Sequence, residues 1–235
     1  MSAPAPAKAV GLSDWVTQFL ERVDYRLAAS AEDRDTIYRL RYDAYLSRGT
    51  IQPNLNRRFI DAYDSLPNAW TFGVYVDGQL ASSFRMHVSS KESPHLPALQ
   101  VFSDVLVPEL EAGKTLIDHT RFVTDPAGAQ YPELPYATVR LGYMAAEYFL
   151  ADMGVAGVRG EHQRFYKRVF GYKPVTAPRS YPTLTKPIIL MVLDFPTERE
   201  KIVRRYPFFH STAFERRMLF ERGEVTAEQR KATAA

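Results

Sequence analysis

A single hairpin signal fixes the strand pairing at the centre of this chain. Residues 70–76 and 80–88 have the apolar, aromatic pattern of strands, and Asp77-Gly78 between them is a strong tight-turn pair. Other strand-like runs cover residues 23–28, 115–123, 155–161 and 186–195, and helical patterns cover residues 11–23, 33–46, 102–111, 135–153 and 165–170. A hairpin among strands that are otherwise separated by helices predicts an α/β (α+β) fold, with one mixed sheet and helices on its faces.

Composition divides the 235 residues into three parts. Residues 1–10 are rich in Ala and Pro and lack the apolar region of a secretory signal, which predicts a disordered lead-in. Residues 11–197 carry the strand and helix patterns and are predicted to form one domain. Residues 198–235 become charged and helical, which predicts a C-terminal helical extension.

The charge balance and the absence of cysteine exclude several functions. The net charge is only +3, from 30 basic and 27 acidic residues, and the surplus lies in residues 198–231. The main domain therefore has no electrostatic reason to bind nucleic acid. Without cysteine the chain has no disulfide, no thiolate nucleophile and no thiolate metal ligand, and we expect a cytoplasmic protein. The spacing of Asp and His predicts no metal site.

The apolar residues Leu116, Ile117, Phe122 and Val123 have the pattern of a buried strand. The ionisable residues Asp118, His119 and Arg121 interrupt it. Ionisable groups in such a frame are costly to bury unless they are paired or functional. In a regular strand Asp118 and Arg121 face opposite sides of the sheet, because side chains alternate. The two can share one wall of a site only if the strand contains a bulge.

Residues 161–175 resemble the late strand–helix–strand module of GNAT-superfamily acyltransferases, and the hairpin at 76–85 looks like that superfamily's second and third strands. The resemblance covers about residues 23–195. It implies a GNAT-like acyl-CoA N-acyltransferase fold, with a mixed, mostly antiparallel twisted sheet flanked by helices. It also places Tyr166 at the position of the superfamily's usual general acid.

One loop departs from the superfamily pattern. Members that use acetyl-CoA hold its pyrophosphate on backbone N–H groups of a glycine-rich loop before the central helix. Here residues 124–132 contain Asp125 and two prolines, Pro126 and Pro132, which have no N–H to donate. This departure disfavours coenzyme A as the acyl donor.

Four segments match, in order, a branch of the superfamily that contains long-chain N-acyl amino acid synthases and acyl-homoserine-lactone (autoinducer) synthases. They are Arg41-Tyr42-Asp43-Ala44-Tyr45, Asp61-Ala62-Tyr63-Asp64, Ser83-Phe84-Arg85 and Asp118-His119-Thr120-Arg121-Phe122. The acidic residue of the last segment is usually Glu in the branch and is Asp here. The branch implies a transferase that takes acyl chains from acyl carrier protein, as a phosphopantetheine thioester substrate, with no bound cofactor.

The loop at residues 49–54 helps to choose within this branch. Lactone synthases carry a Trp there, whereas the Gly-x-Ile-x-Pro-Asn pattern of this chain looks like that of the N-acyl amino acid synthases. This favours transfer of a fatty acyl chain to the α-amine of an amino acid. An acyl-homoserine-lactone synthase, a CoA-dependent N-acetyltransferase and a non-catalytic lipid-binding relative are the alternatives.

The resemblance and the residue chemistry together nominate ten site residues. The predicted catalytic residues are Asp118, Arg121, Tyr166 and Asp64, and the predicted substrate-binding residues are Arg41, Tyr45, Asp61, Arg85, His87 and Phe122. Several of them have a plainer alternative. Asp61 and Asp64 can simply lie on a solvated loop, and Arg41 can be a surface charge. Asp118 with Arg121, and Arg41 with Asp64, can be structural ion pairs, and Tyr166 can be core packing. The extension can be a docked helix, a cover for the acyl site or a peripheral membrane contact.

Overall fold

The computed structural model describes residues 11–221, so the predicted lead-in and residues 222–235 of the predicted extension lie outside it. The chain order of its elements is α1 Leu12–Leu20, β1 Val23–Leu27, α2 Ala31–Ser47, β2 Ala69–Val76, β3 Gln79–Ser89, α3 Leu99–Glu111, β4 Leu116–Thr124, α4 Leu134–Tyr148, β5 Met153–Val158, α5 Gln163–Phe170, β6 Lys173–Pro174, β7 Ile189–Asp194, α6 Phe195–Arg205 and α7 Ala213–Phe220. The sheet order is β1-β2-β3-β4-β5-β7-β6. Among the strands of residues 11–221 only β4 and β5 pair in parallel, which confirms the mixed, mostly antiparallel sheet.

The element ends show where local signals decide and where they do not. Helix α2 begins at a capping box, in which the Asp33 N–H donates to the Ser30 hydroxyl at 3.0 Å and the Ser30 N–H donates to the Asp33 carboxylate at 3.1 Å. The predicted helix at 135–153 is wrong at its end. It stops at Tyr148 because Leu150 adopts a left-handed backbone conformation with φ of 50°, and β5 starts soon afterwards.

Helices cover both faces of the sheet. Helix α2 contacts β3 and β4 on one face, and α3 packs there with Leu116 and Val155 of the strands. On the opposite face α4 packs against β3 and β4 and, with α1, α6 and α7, encloses the larger hydrophobic core. No helix between residues 11 and 221 is long and apolar enough to cross a membrane.

The described part of the C-terminal extension packs into this larger core as docked helices. Phe220 is buried, with its ring centroid 5.6 Å from that of Phe72. Arg140 of α4 ties the extension down: it donates to Glu215 at 2.6 and 3.1 Å, and to the carbonyls of Phe208 and His210 at 2.7 Å each. We call these four residues the tail cluster.

Candidate active site

The two parallel strands part at the centre of the sheet. Strands β4 and β5 are paired only from Leu116 opposite Met153 to His119 opposite Ala156. Beyond that point the two strands are no longer paired, and a cleft of about 340 Å³ lies between them. Tyr166 of α5 and Phe122 of β4 are among the residues that line it. Both predicted site residues therefore face the cleft.

A bulge in β4 reorients the predicted catalytic strand. Ser83 is opposite Val123 and Arg85 is opposite Thr120, so β4 takes three steps where β3 takes two. The extra residue of the bulge is at Arg121, whose backbone is left-handed with φ of 53°. Its side chain consequently lies on the same face as Asp118 and Thr120. The bulge therefore places Asp118 and Arg121 on the same face of the sheet, as a common site for the two residues requires.

The Asp61-x-x-Asp64 spacing forms a short 3₁₀ turn, Ala62–Ser65, that presents two carboxylates together. The Tyr63 N–H donates to the Asp61 carboxylate, and the Asp61 N–H donates to that of Asp64, both at 3.0 Å. This local capping explains why the spacing matters. Both carboxylates then face the sheet, where arginines meet them.

Three arginines from three different elements converge on these carboxylates. Arg85 donates to both oxygens of Asp61, at 2.7 and 3.1 Å, and lies 2.7 Å from Asp64. Arg41 donates to Asp64 at 2.7 Å, and Arg121 donates to Asp61. We call these five residues the site cluster. Arg85, predicted to bind substrate, thus has a protein carboxylate as its bidentate partner.

The site cluster is buried and has more cations than anions. Burial opposes the carboxylate charges, but the hydrogen bonds and charges of Arg85 and Arg121 lower the pKa of Asp61, and the charges of Arg41 and Arg85 lower that of Asp64. Both carboxylates are therefore ionised at neutral pH. Three guanidinium groups against two carboxylates leave one positive charge, which suits an anionic substrate group.

Asp118 lies on the same face in a different state. It is fully buried, and its Oδ2 accepts a hydrogen bond from the Ala98 N–H at 2.9 Å, while its Oδ1 has no partner in the structure. Burial raises its pKa to about 7. Among the described ion pairs none joins Asp118 to Arg121, so the structural-pair alternative for these two residues is wrong.

A second, smaller cavity of about 70 Å³ is lined by Asp118, Arg85 and Arg121, with Tyr45 and Tyr181. Thr120 and Arg121 line both this pocket and the larger cleft, so the two spaces meet at the bulge. A carboxylate with a pKa near neutral, beside cationic groups and next to an apolar cleft, can exchange a proton during the reaction.

The remaining predicted residues have supporting positions. His87 is buried, and its Nε2 donates to the Tyr63 carbonyl at 2.9 Å, while burial and then Arg85 lower its pKa to about 4. Tyr45 lies beneath Arg121, with 5.7 Å between ring centroid and guanidinium carbon. Burial raises the pKa of Tyr166, which keeps its hydroxyl protonated at neutral pH.

The family of the protein follows from its sequence. The sequence profile of a family described as N-acyl amino acid synthase FeeM matches residues 36–194, which include every predicted site residue. The chain belongs to this family. The search of curated proteins found no match to this chain. The protein is an acyltransferase, and solved structures that include an acyl-homoserine-lactone synthase share its fold.

Solved structures of this FeeM family and its neighbours share the fold. The structure of FeeM, an N-acyl amino acid synthase from uncultured soil microbes, has a TM-score of 0.66 at 20% identity and covers 78% of this chain and 96% of its own. BjaI, a CoA-dependent acyl-homoserine-lactone synthase, has a TM-score of 0.56 at 12% identity and covers 80% and 89%. LasI, an acyl-homoserine-lactone synthase, has a TM-score of 0.52 at 13% identity and covers 72% of this chain and 89% of its own.

Sequence reasoning missed three contributors to this FeeM-family site. Thr120 accepts a hydrogen bond from Arg85 Nε at 3.0 Å, and Phe59 lies 4.2 Å from the Arg121 guanidinium. Tyr181 comes from a loop far along the chain and lines the pocket beside Asp118. Strand alternation from Asp118 identifies Thr120, whereas no local pattern marks Phe59 or Tyr181.

No group of three His, Cys, Asp or Glu side chains within residues 11–221 is arranged to hold a metal ion.

Basic side chains lie at the mouth of the cleft. Arg48 and Arg159 line the cleft, and both they and Lys186 are near enough to His162 to lower its pKa, although burial is the larger cause. The mouth of the cleft therefore favours an anionic ligand.

Proposed function

We propose that the protein transfers a fatty acyl chain from the phosphopantetheine thioester of acyl carrier protein to the α-amine of an amino acid. The observation that carries the proposal is the meeting of two unlike spaces at the β4 bulge. A cleft suited to an acyl chain and a pocket suited to a zwitterion share Thr120 and Arg121. The thioester carbonyl and the attacking amine would meet there.

The acceptor pocket has complementary groups for both ends of an amino acid. The surplus positive charge of the site cluster, at Arg121, attracts the carboxylate, and the unpaired Asp118 Oδ1 faces the amine. Tyr45 and Tyr181 leave one side of the pocket aromatic. Arg41 and Asp64 do not line this pocket and would hold Arg85 in place rather than touch the substrate.

The chemistry is aminolysis of a thioester. The amine nitrogen bonds to the carbonyl carbon, the carbon–sulfur bond breaks, and an amide and a thiol result. Asp118 takes the amine proton, because its pKa of about 7 lets it exist in both forms. A backbone N–H released by the bulge stabilises the oxyanion. Tyr166 at the cleft gives the sulfur its proton and is reprotonated by the second proton, which the nitrogen loses as the amide forms.

Two features favour acyl carrier protein over coenzyme A as the donor. Helix α4 begins after Glu133 and has Pro135 in its first turn, so its N-terminus offers an acidic residue and a missing N–H where a pyrophosphate would bind. The cations at the cleft mouth suit the single phosphate of phosphopantetheine and an acidic carrier surface. BjaI and MesI, which are CoA-dependent, are the reason to test both donors.

The test is an in vitro transfer assay on the full chain. Acyl carrier protein and coenzyme A, each charged with the same fatty acyl chain, are supplied with a mixture of the amino acids, and acylated products are identified by mass spectrometry. We expect an N-acyl amino acid with the carrier-protein donor. Absence of any acylated amino acid with either donor would contradict the proposal.

A further pair of reactions separates the lactone alternative. With S-adenosylmethionine as the acceptor, a lactone synthase releases methylthioadenosine, and we expect none here.

We also propose a cytoplasmic location, where the donor is found. The predicted membrane contact has one supporting observation: Phe214 and Met218, on one face of α7, are 65% and 70% exposed. Flotation with anionic vesicles tests it.

A further inference from the structure

Behind the cleft lies a separate cavity of about 20 Å³, on the α4 side of the sheet. Its walls are largely apolar and buried; they include Phe84, Val139, Ala146, Phe170, Leu193 and Phe195. Two side chains, His119 and Tyr166, line both this inner cavity and the cleft. The two spaces are therefore neighbours with a shared wall.

His119 is placed in this wall with little freedom. Its Nδ1 is 2.8 Å from the Tyr172 hydroxyl, and its ring lies against Gly142 of α4. A Cβ on Gly142 would lie 2.7 Å from His119 Nε2, and a Cβ on Gly154 would collide with the Tyr172 hydroxyl. The pair thus fits only because both positions opposite it are glycine.

The same histidine has an unexplained cost. Its Nε2 is buried and has no hydrogen-bond partner in the structure, which is unfavourable for a polar atom removed from water. Burial lowers the pKa of His119 to about 4, so the ring is uncharged at neutral pH and compatible with an alkyl chain beside it. An apolar residue would avoid this cost, and a role at the wall would explain why it is tolerated.

We propose that His119, anchored by Tyr172, is the stop that ends the acyl-chain site and so limits the length of chain the enzyme accepts. This inference rests on the proposed function, since it takes the cleft as the acyl site. A chain that enters between β4 and β5 points toward the α4 side and meets the imidazole ring. The inner cavity becomes part of the acyl site only when a smaller side chain replaces the imidazole ring.

The test measures binding without turnover. Non-hydrolysable acyl-pantetheine thioethers, from butyryl to palmitoyl length, are titrated by calorimetry into the wild-type protein, His119→Val, Tyr172→Phe and Val139→Ala. Valine suits a strand and removes the ring. Tyr172→Phe keeps the ring but removes its anchor. Val139→Ala enlarges only the inner cavity, so it is the matched control.

We expect wild-type affinity to rise with chain length and then to stop rising at a cut-off. In His119→Val the cut-off moves to longer chains, and affinity for the first excluded length rises about tenfold, since each buried methylene adds a factor of about four. Tyr172→Phe shifts it the same way by less, and Val139→Ala alone leaves it unchanged.

An unchanged cut-off in folded His119→Val would overturn the inference, as would a shift in Val139→Ala alone, which would mean that the chain already passes the ring. If His119→Val does not fold, as judged by thermal unfolding, an unchanged cut-off in Tyr172→Phe has the same force. Failure of the proposed function is distinguishable, because the wild-type protein would then show no dependence on chain length at all.

Discussion

Residues 11–221 include two clusters built around buried arginines, and the clusters differ in how completely their polar groups are paired. In the tail cluster Arg140 meets a carboxylate and two carbonyls, and its charge is balanced by Glu215. In the site cluster three guanidinium groups meet two carboxylates. Around it Arg41 Nε, His87 Nδ1 and Asp118 Oδ1 are buried without hydrogen-bond partners in the structure.

This difference separates a structural role from a functional one. A fully paired cluster joins two elements and needs nothing more, as Arg140 does between α4 and the extension. A cluster that leaves charge and hydrogen-bonding capacity unused has a cost that folding alone does not explain. Of the residues with unpaired groups, Asp118 lines the pocket in which we place the acceptor, together with Arg85 and Arg121 of the site cluster.

The largest expected effect comes from Asp118→Asn, which keeps the shape and the bond from Ala98 but removes the base. We expect kcat to fall by about 10²–10⁴, the usual contribution of general acid–base catalysis. Asp104→Asn, at the exposed partner of Arg179, is the matched control and should leave kcat unchanged. Steady-state kinetics with saturating acceptor measures both. Equal rates for the two variants would remove Asp118 from the mechanism.

The pH dependence should follow the same residue. With Asp118 as the base, kcat/KM rises about tenfold per pH unit below its pKa of about 7 and then levels, and Asp118→Asn loses this inflection. Stability has the opposite sign. The folded pKa is raised above the unfolded value of 3.8, so this contribution is full below that value and is lost as pH rises toward 7. Chemical denaturation at several pH values, with Asp118→Asn as the reference, measures it.

The two clusters should also respond oppositely to loss of their central arginine. Arg140→Met leaves Glu215 and two carbonyls without their cation, and we expect a loss of about 3 kcal/mol of stability but an unchanged kcat for the folded protein. In Arg85→Met, Asp61 keeps Arg121 and Asp64 keeps Arg41. Stability should therefore fall less, by about 1–2 kcal/mol.

Turnover should show the reverse order, because Arg85 lines the acceptor pocket and Arg140 does not. Urea denaturation and steady-state kinetics on the same preparations measure both properties. A folded Arg140→Met protein with strongly reduced kcat would show that the tail cluster also serves the reaction, and the contrast between the clusters would fail.

Much of the fold was predictable because its signals are local. Asp77-Gly78 sets the β2–β3 hairpin, and the Asp61-x-x-Asp64 spacing forms its turn through its own capping bonds. These contacts span a few residues, so the sequence pattern contains them. The ordered segments that carry Arg41, Arg85 and Arg121 then indicated which charges converge.

The rest depends on contacts that no local pattern contains. The bulge requires a left-handed Arg121, a conformation unusual for a residue other than glycine, and it is held by neighbouring strands. The raised pKa of Asp118 comes from its burial beneath residues distant in the chain, and its hydrogen bond comes from the Ala98 N–H at the start of another helix. The early end of α4 at Tyr148 is not marked by a glycine or proline at that position.

The smallest effect tests what kind of cation the site cluster needs. Arg121→Lys keeps the charge but loses the planar group that stacks on Phe59 at 4.2 Å. We expect KM for the acceptor to rise about tenfold, as loss of a desolvated cation–π contact allows. Arg179→Lys is the matched control, since Arg179 also pairs with an Asp and lies 5.3 Å from a ring, that of Phe102, but at the surface. Its acceptor KM should not change. If Arg121→Lys also leaves KM unchanged, the surplus charge does not bind the acceptor, and the unsatisfied state of the site cluster needs another explanation.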